Sequence, residues 1–228
     1  MKPKAIVFDL FGTLVDMFPF EENECVWEMA YILEAPQQEF ARSWFNSFKQ
    51  RELGEFATIK ASIEYVCNAV GIVPDSSKIM KATKTLLDFT FKTLTPRAEA
   101  METLKLLKKE GFKIGLISGG SMEVPLVWPS TQLSSLIDTS TFSCLVGIKK
   151  PDPRIYKENC KQMKVAPEEC IYIGDGSSAE LRGALEVGMR PALIRVDYDR
   201  EYDNYRDITD WKGTVIYSLK EVKGLLAS

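Results

Sequence analysis

Five short apolar runs punctuate the chain: AIVF at 5–8, KIGLI at 113–117, CIYI at 170–173, ALIRV at 192–196 and TVIY at 214–217. They are rich in Ile and Val and show little polar alternation, the pattern of strands covered on both faces. Helical patterns lie between the later runs. PRAEAMETLKLLKKEGF (96–112) has Pro96 where a first turn tolerates it and Gly111 where a helix stops. PDPRIYKENCKQMKV (151–165) and SAELRGALEVGM (178–189) follow the same logic. This alternation predicts an α/β fold, a parallel sheet with helices on both faces. Residues 16–95 differ, with helical periodicity, many aromatics and breaks near Ala35-Pro36, Gly54 and 71–76. They predict about four helices inserted after the first strand. The expected domains are therefore a core of 1–15 plus 96–228 and a helical insert of 16–95.

Composition narrows the chemistry more than the fold. The formal net charge is -3 with no basic stretch, which gives no support to nucleic-acid or anionic-membrane binding. No run approaches the roughly 20 apolar residues of a membrane span, and nothing resembles a signal peptide, so the expected location is the cytoplasm. The five cysteines include no C-x-x-C pair and read as buried reduced thiols. Histidine is absent, which removes Ser-His-Asp and Cys-His catalysis and His-ligated zinc. Chemistry must then come from carboxylates, lysine, hydroxyls and a hard metal. The acidic, aromatic stretch at 197–210 lacks calcium-loop spacing and reads as a solvated surface loop.

Three apolar runs end in a polar residue that a core would not request: Asp9, Ser118 and Asp175, each followed by Gly within a few positions. The carboxyl ends of neighbouring parallel strands converge on one crevice, so these three can meet across the sequence. Around them, DLFGTLVD at 9–16, LIS ending at Ser118, Lys150 in GIKKPDPRIY and YIGDGSSAELRGALEVGM at 172–189 stand in order. Together they resemble the four motifs of the haloacid dehalogenase (HAD) superfamily, and the insert resembles that family's helical cap. The resemblance implies a Rossmann-like core and a hydrolase acting on a small molecule.

It also implies roles. Asp9 would be the nucleophile forming a covalent aspartyl intermediate. Ser118, Gly119, Lys150 and Thr13 would hold the transferring phosphoryl group, with Lys150 keeping Asp9 ionised. Lys149 is the weaker candidate because the family's lysine directly precedes Pro. Magnesium would sit among Asp9, the main-chain carbonyl of Phe11 and Asp175, with Glu180 as a ligand or just behind one.

Phe11 stands where family phosphatases usually carry a second Asp that protonates the leaving group. Loss of a general acid costs typically 10²–10⁴-fold, least for acyl or aryl phosphates, and a halide needs no proton. Asp175 and Glu180 argue the other way, since carboxylates crowded beside Asp9 call for a cation among them. The expectation is a magnesium-dependent phosphatase of a small phosphorylated metabolite. The alternatives are a 2-haloacid dehalogenase-like hydrolase and a low-activity phospho-ligand-binding protein. Phe18, Phe20, Trp27, Trp44, Phe45 and Phe48 are candidates to line a pocket, though the insert's own core explains them more readily. Arg42 and Arg51 are candidates to clamp an anion. Asp16 is read as an anchor for the entry to the insert. A homodimer is among the assemblies the sequence allows.

Overall fold

The computed structural model describes residues 2–17, 19–198, 203–204 and 206–227. Six strands form one sheet: β1 (Ala5–Phe8), β2 (Lys113–Ser118), β3 (Thr139–Phe142), β4 (Cys170–Gly174), β5 (Arg190–Ile194) and β6 (Thr214–Ile216). Their order is β3-β2-β1-β4-β5-β6, and every pairing is parallel. All five apolar runs contribute strands. β3 was not foreseen, because its sequence TSTF carries three hydroxyl residues and it lies at the sheet edge, where only β2 pairs with it.

The helices follow in chain order. α1 (Pro19–Ile32), α2 (Gln37–Asn46), α3 (Phe48–Glu52), α4 (Ile59–Ala69) and α5 (Ser76–Thr93) lie between β1 and β2. α6 (Ala100–Lys109), α7 (Glu123–Val127), α8 (Ser143–Val146), α9 (Pro153–Met163) and α10 (Glu180–Glu186) accompany the sheet. Alternation along β1 sends Ile6 and Phe8 to one face, against Leu104 and Leu107 of α6. Ala5 and Val7 face the other way, towards Ile155 and Tyr156 of α9 and Leu181 and Ala184 of α10.

Helices α1–α5 share a separate core of Val26, Met29, Phe40, Trp44, Ile63, Val66 and Leu86. Each such side chain contributes about 1.5–3 kcal/mol on full burial. The insert holds five helices where about four were expected. Ser47 divides α2 from α3 by donating its hydroxyl to the Trp44 carbonyl at 2.8 Å, a local bond that competes with the helix. Thr58 and Asp75 cap α4 and α5 by accepting from the amides of Ala61, and of Ser77 and Lys78. The chain leaves and re-enters the sheet layer at one place, where the Arg97 amide donates to the Leu14 carbonyl at 2.9 Å.

β1 has β2 on one side and β4 on the other, so successive crossovers depart in opposite directions from it. The carboxyl end of β1 is the switch point at which open α/β sheets bind ligands. Among the described residues, no helix is long and apolar enough to cross a membrane.

Candidate active site

Asp9 follows the last residue of β1 and is 3% exposed. Its amide donates to the Ile173 carbonyl at 2.9 Å, which places it level with the end of β4. The chain then turns tightly, with the Gly12 amide donating to Val15 at 2.8 Å. Gly12 has φ +78, and a Cβ there would lie 2.3 Å from Asp175 Oδ2. Only glycine meets both demands.

Lys150, in the turn between α8 and α9, is buried at 4% exposure and donates to two acids. Its Nζ lies 2.5 Å from Asp9 Oδ1 and 2.5 Å from Glu180 Oε2. Glu180 opens α10, and Oε2 also accepts from the Tyr172 hydroxyl at 2.7 Å while Oε1 accepts from the Gly176 amide at 3.0 Å. Asp175 accepts from the Ser177 amide at 2.9 Å and from Arg206 Nε at 2.9 Å. Ser178 and Ala179, between these two acids, have φ of +54 and +51. Left-handed backbone costs non-glycine residues roughly 1–2 kcal/mol each, strain that the surrounding fold sustains at this loop.

The electrostatics follow from burial. Desolvation raises the Asp9 carboxyl above its ordinary value, and the ammonium of Lys150 opposes it. Glu180 is pushed up to about 8 by burial and by the neighbouring Asp9 charge, again against Lys150. Burial disfavours the charged form of Lys150, but the paired Asp9 and Glu180 outweigh it and its pKa ends raised, so it stays an ammonium.

Two polar atoms at this site are buried without a partner in the protein, Asp9 Oδ2 and Thr13 Oγ1. One carboxylate oxygen each from Asp9, Asp175 and Glu180 lie within 4.8 Å of one another. Hard oxygens at this spacing, with one Asp9 oxygen uncommitted, fit magnesium. The carboxylates do not require a metal in order to coexist, because Lys150 sits between Asp9 and Glu180 and Arg206 lies on Asp175.

Ser118 ends β2, fully buried, with its hydroxyl donating to the Gly119 carbonyl at 3.4 Å. A Cβ on Gly119 would lie 2.8 Å from Oε1 of Glu52, a residue of α3, whose Oε2 pairs with Lys149 at 2.7 Å. Asp9, Lys150, Asp175 and Glu180 thus form one contiguous cluster, and Ser118, Gly119 and Thr13 lie on the same strand ends and turn. Asp16 stands apart, accepting from Arg97 Nε at 2.7 Å and from the Tyr198 hydroxyl at 3.0 Å, as an anchor would.

A cavity of about 200 Å³ opens between the helical insert and the sheet, lined by Phe11, Trp44, Phe48, Phe89, Gly119 and Arg51 among others. Arg51 is 3% exposed, stacks over Trp44 at 3.9 Å and donates to Ser121 Oγ at 3.2 Å. Burial lowers its pKa, with Glu123 and Glu22 holding against that shift. Arg42 is exposed and lies elsewhere. Of the aromatic candidates, Trp44 and Phe48 line the cavity, Trp44 while also belonging to the insert's own core, whereas Trp27 and Phe45 do not line it. Phe18 and the side chain of Phe20 lie outside the described residues.

Sequence reasoning missed Arg206, Tyr172 and Glu52. Tyr172 carried a signal, since a Tyr inside an otherwise apolar strand needs a partner for its hydroxyl. Arg206 carried none among its acidic neighbours, and the stretch read as a solvated loop contains this buried cation.

A family model described as haloacid dehalogenase-like hydrolase matches residues 3–188. Glyceraldehyde 3-phosphate phosphatase of Methanopyrus kandleri is 28% identical over 216 residues, covering 92% of each chain. (S)-2-haloacid dehalogenase 4A of Burkholderia cepacia is 25% identical over 201 residues, 84% of this chain and 82% of that one. Among solved structures, 2-haloacid dehalogenase from Pseudomonas syringae pv. Tomato superposes with a TM-score of 0.72 over 99% of this chain and 98% of its own, at 23% identity. That last likeness is one of fold.

Proposed function

The chain belongs to the haloacid dehalogenase-like hydrolases, and on that premise we propose that it is a magnesium-dependent phosphatase of a small phosphorylated metabolite. The observation that carries this reading is Asp9 itself. One of its oxygens is bound by Lys150, and the other is buried without a partner at the switch point of the sheet. In this reading a carboxylate oxygen of Asp9 attacks phosphorus, the ester oxygen departs with the bonding pair, and an aspartyl-phosphate forms on Asp9. Water then attacks phosphorus, releasing phosphate and restoring the carboxylate. Ser118, the Gly119 amide and Thr13 hold phosphoryl oxygens, and Lys150 offsets the growing negative charge. Asp9, the Phe11 carbonyl and Asp175 would hold magnesium, which supplies further charge stabilisation. Glu180 fixes Lys150 and the loop above β4. Residues 16–95 act as the cap, and the cavity beneath it receives the leaving group.

Phe11 puts an aromatic ring, not an acid, against that cavity. The favoured substrates therefore have leaving groups that need little protonation, such as acyl or aryl phosphates. The same residue favours a second reading, carbon-centred dehalogenation, in which the leaving halide needs no proton and the cations already on the carboxylates serve without a metal.

Acetyl phosphate and an aryl phosphate, each with magnesium or EDTA and beside D9N, separate the two. Magnesium-dependent release of phosphate that disappears in D9N supports the phosphatase. Absence of phosphate release together with chloride release from 2-chloropropionate in EDTA sinks it in favour of the dehalogenase.

A further inference from the structure

Asp175 is fully buried, and a protein cation is already on it. Arg206 Nε lies 2.9 Å from Asp175 Oδ2, and the arginine side chain is 2% exposed. This arm is held in place. The Asp207 amide donates to the Gly176 carbonyl at 2.9 Å, Ser177 and Arg206 form an antiparallel bridge, and a Cβ on Gly176 would lie 2.3 Å from Ile208 Cγ2. The segment 206–208 is therefore docked on the loop that carries the Asp175 carboxylate. The guanidinium has a second acid as well, since Nη1 lies 3.1 Å from Asp203 Oδ1.

We infer that Arg206 is a built-in competitor of the divalent cation, occupying the Asp175 oxygen that the metal would use and yielding it when the metal binds. This rests on the magnesium reading of the site, for which the unpartnered Asp9 Oδ2 is the independent sign. The chemistry is plain. A hard divalent ion takes a lone pair of Asp175, and a guanidinium on that carboxylate both uses the oxygen and repels the incoming charge. Asp203 keeps Arg206 paired after it lets go, so displacement does not strand a buried cation. Without metal, Lys150 is shared by Asp9 and Glu180, and Arg206 by Asp175 and Asp203. Metal affinity in this chain is thereby set partly by a residue that never touches substrate. Arg206 is a positioning residue, and its role is read in binding.

The test is Mn²⁺ binding to the EDTA-stripped full chain, with free Mn²⁺ followed by EPR and folding checked by circular dichroism. R206Q is expected to bind Mn²⁺ at least about tenfold tighter than the unmodified protein, while R206K, which keeps the charge, stays close to it. D203N leaves both Asp175 and Arg206 in place but removes the second acid, and it is expected to bind Mn²⁺ several-fold more weakly. That variant keeps the idea open to refutation should R206Q fail to fold. If the unmodified protein binds Mn²⁺ and folded R206Q binds no tighter, the role of Arg206 is overturned while the magnesium reading stands. If D203N, read in place of an unfolded R206Q, binds as the unmodified protein does, the role is overturned in the same way. If the unmodified protein, R206Q and D203N all fail to bind, the magnesium reading falls and takes this inference with it.

Discussion

At the scale of single residues, Phe11 stands where the proposed reaction would call for a proton donor. Its ring lines the cavity under the helical insert, and its backbone continues from the strand end that carries Asp9. An acid in its place would give the departing oxygen a proton, an effect typically of 10²–10⁴-fold. F11D is therefore expected to raise turnover of alkyl phosphates by about 10²-fold or more relative to aryl phosphates. The measurement is kcat/KM across a series of esters of graded leaving-group pKa. Unmodified protein should show a steep dependence and F11D a shallow one. Equal slopes would mean that some other residue already donates the proton.

At the scale of elements, the site is made by strand ends and the turns that leave them. Gly12 in the turn after β1 approaches Asp175 in the loop after β4 so closely that a Cβ would sit 2.3 Å from Oδ2. G12A is expected to cost about 2–3 kcal/mol in urea unfolding, from overpacking plus a left-handed φ, and to lower activity at least tenfold. G71A is the control. Gly71 also has positive φ, +77, but open space where its Cβ would go, so G71A adds only backbone strain, costing about 1 kcal/mol of stability, and activity is kept. An equal loss of activity in both variants would refute the role of close approach.

This element also shows why part of the site could be read in advance. Asp9, Ser118 and Asp175 interrupt apolar strands, and a buried strand that ends in a carboxylate or hydroxyl signals itself one residue at a time. Glu180 ends no strand and was legible only through the resemblance of YIGDGSSAELRGALEVGM to a family motif. β3 and Arg206 were not visible. The strand TSTF owes its existence to pairing with β2, and Arg206 meets Asp175 only because a loop after β5 folds back onto the turn after β4. Both depend on tertiary contacts that leave no local pattern.

At the scale of the whole molecule, the buried charges couple folding to pH. Glu180 is raised from 4.5 to about 8 by burial and the Asp9 charge. In the metal-free protein the native site holds a proton that the unfolded chain releases above about pH 4.5, so the unfolded state binds fewer protons and stability falls as pH rises through that window. Asp9, raised in the same direction, adds to the slope. The fall should end near pH 8. Urea midpoints at pH 5.5 and 8 in EDTA are expected to differ in favour of pH 5.5, with E180Q showing a smaller difference. A slope of the opposite sign, or one untouched by E180Q, would refute this account.

Lys149 and Lys150 are adjacent, yet they serve different layers. Lys150 is buried against Asp9 and Glu180, while Lys149, 37% exposed, reaches Glu52 of the helical insert. Dissolved salt screens the second pair far more than the first. Raising the ionic strength is therefore expected to loosen the contact of the helical insert with the turn before α9 and to leave the Lys150 pairs largely intact. Two neighbouring residues of one turn thus carry separate duties, one tying the helical insert to the sheet layer and the other setting the charge beside Asp9.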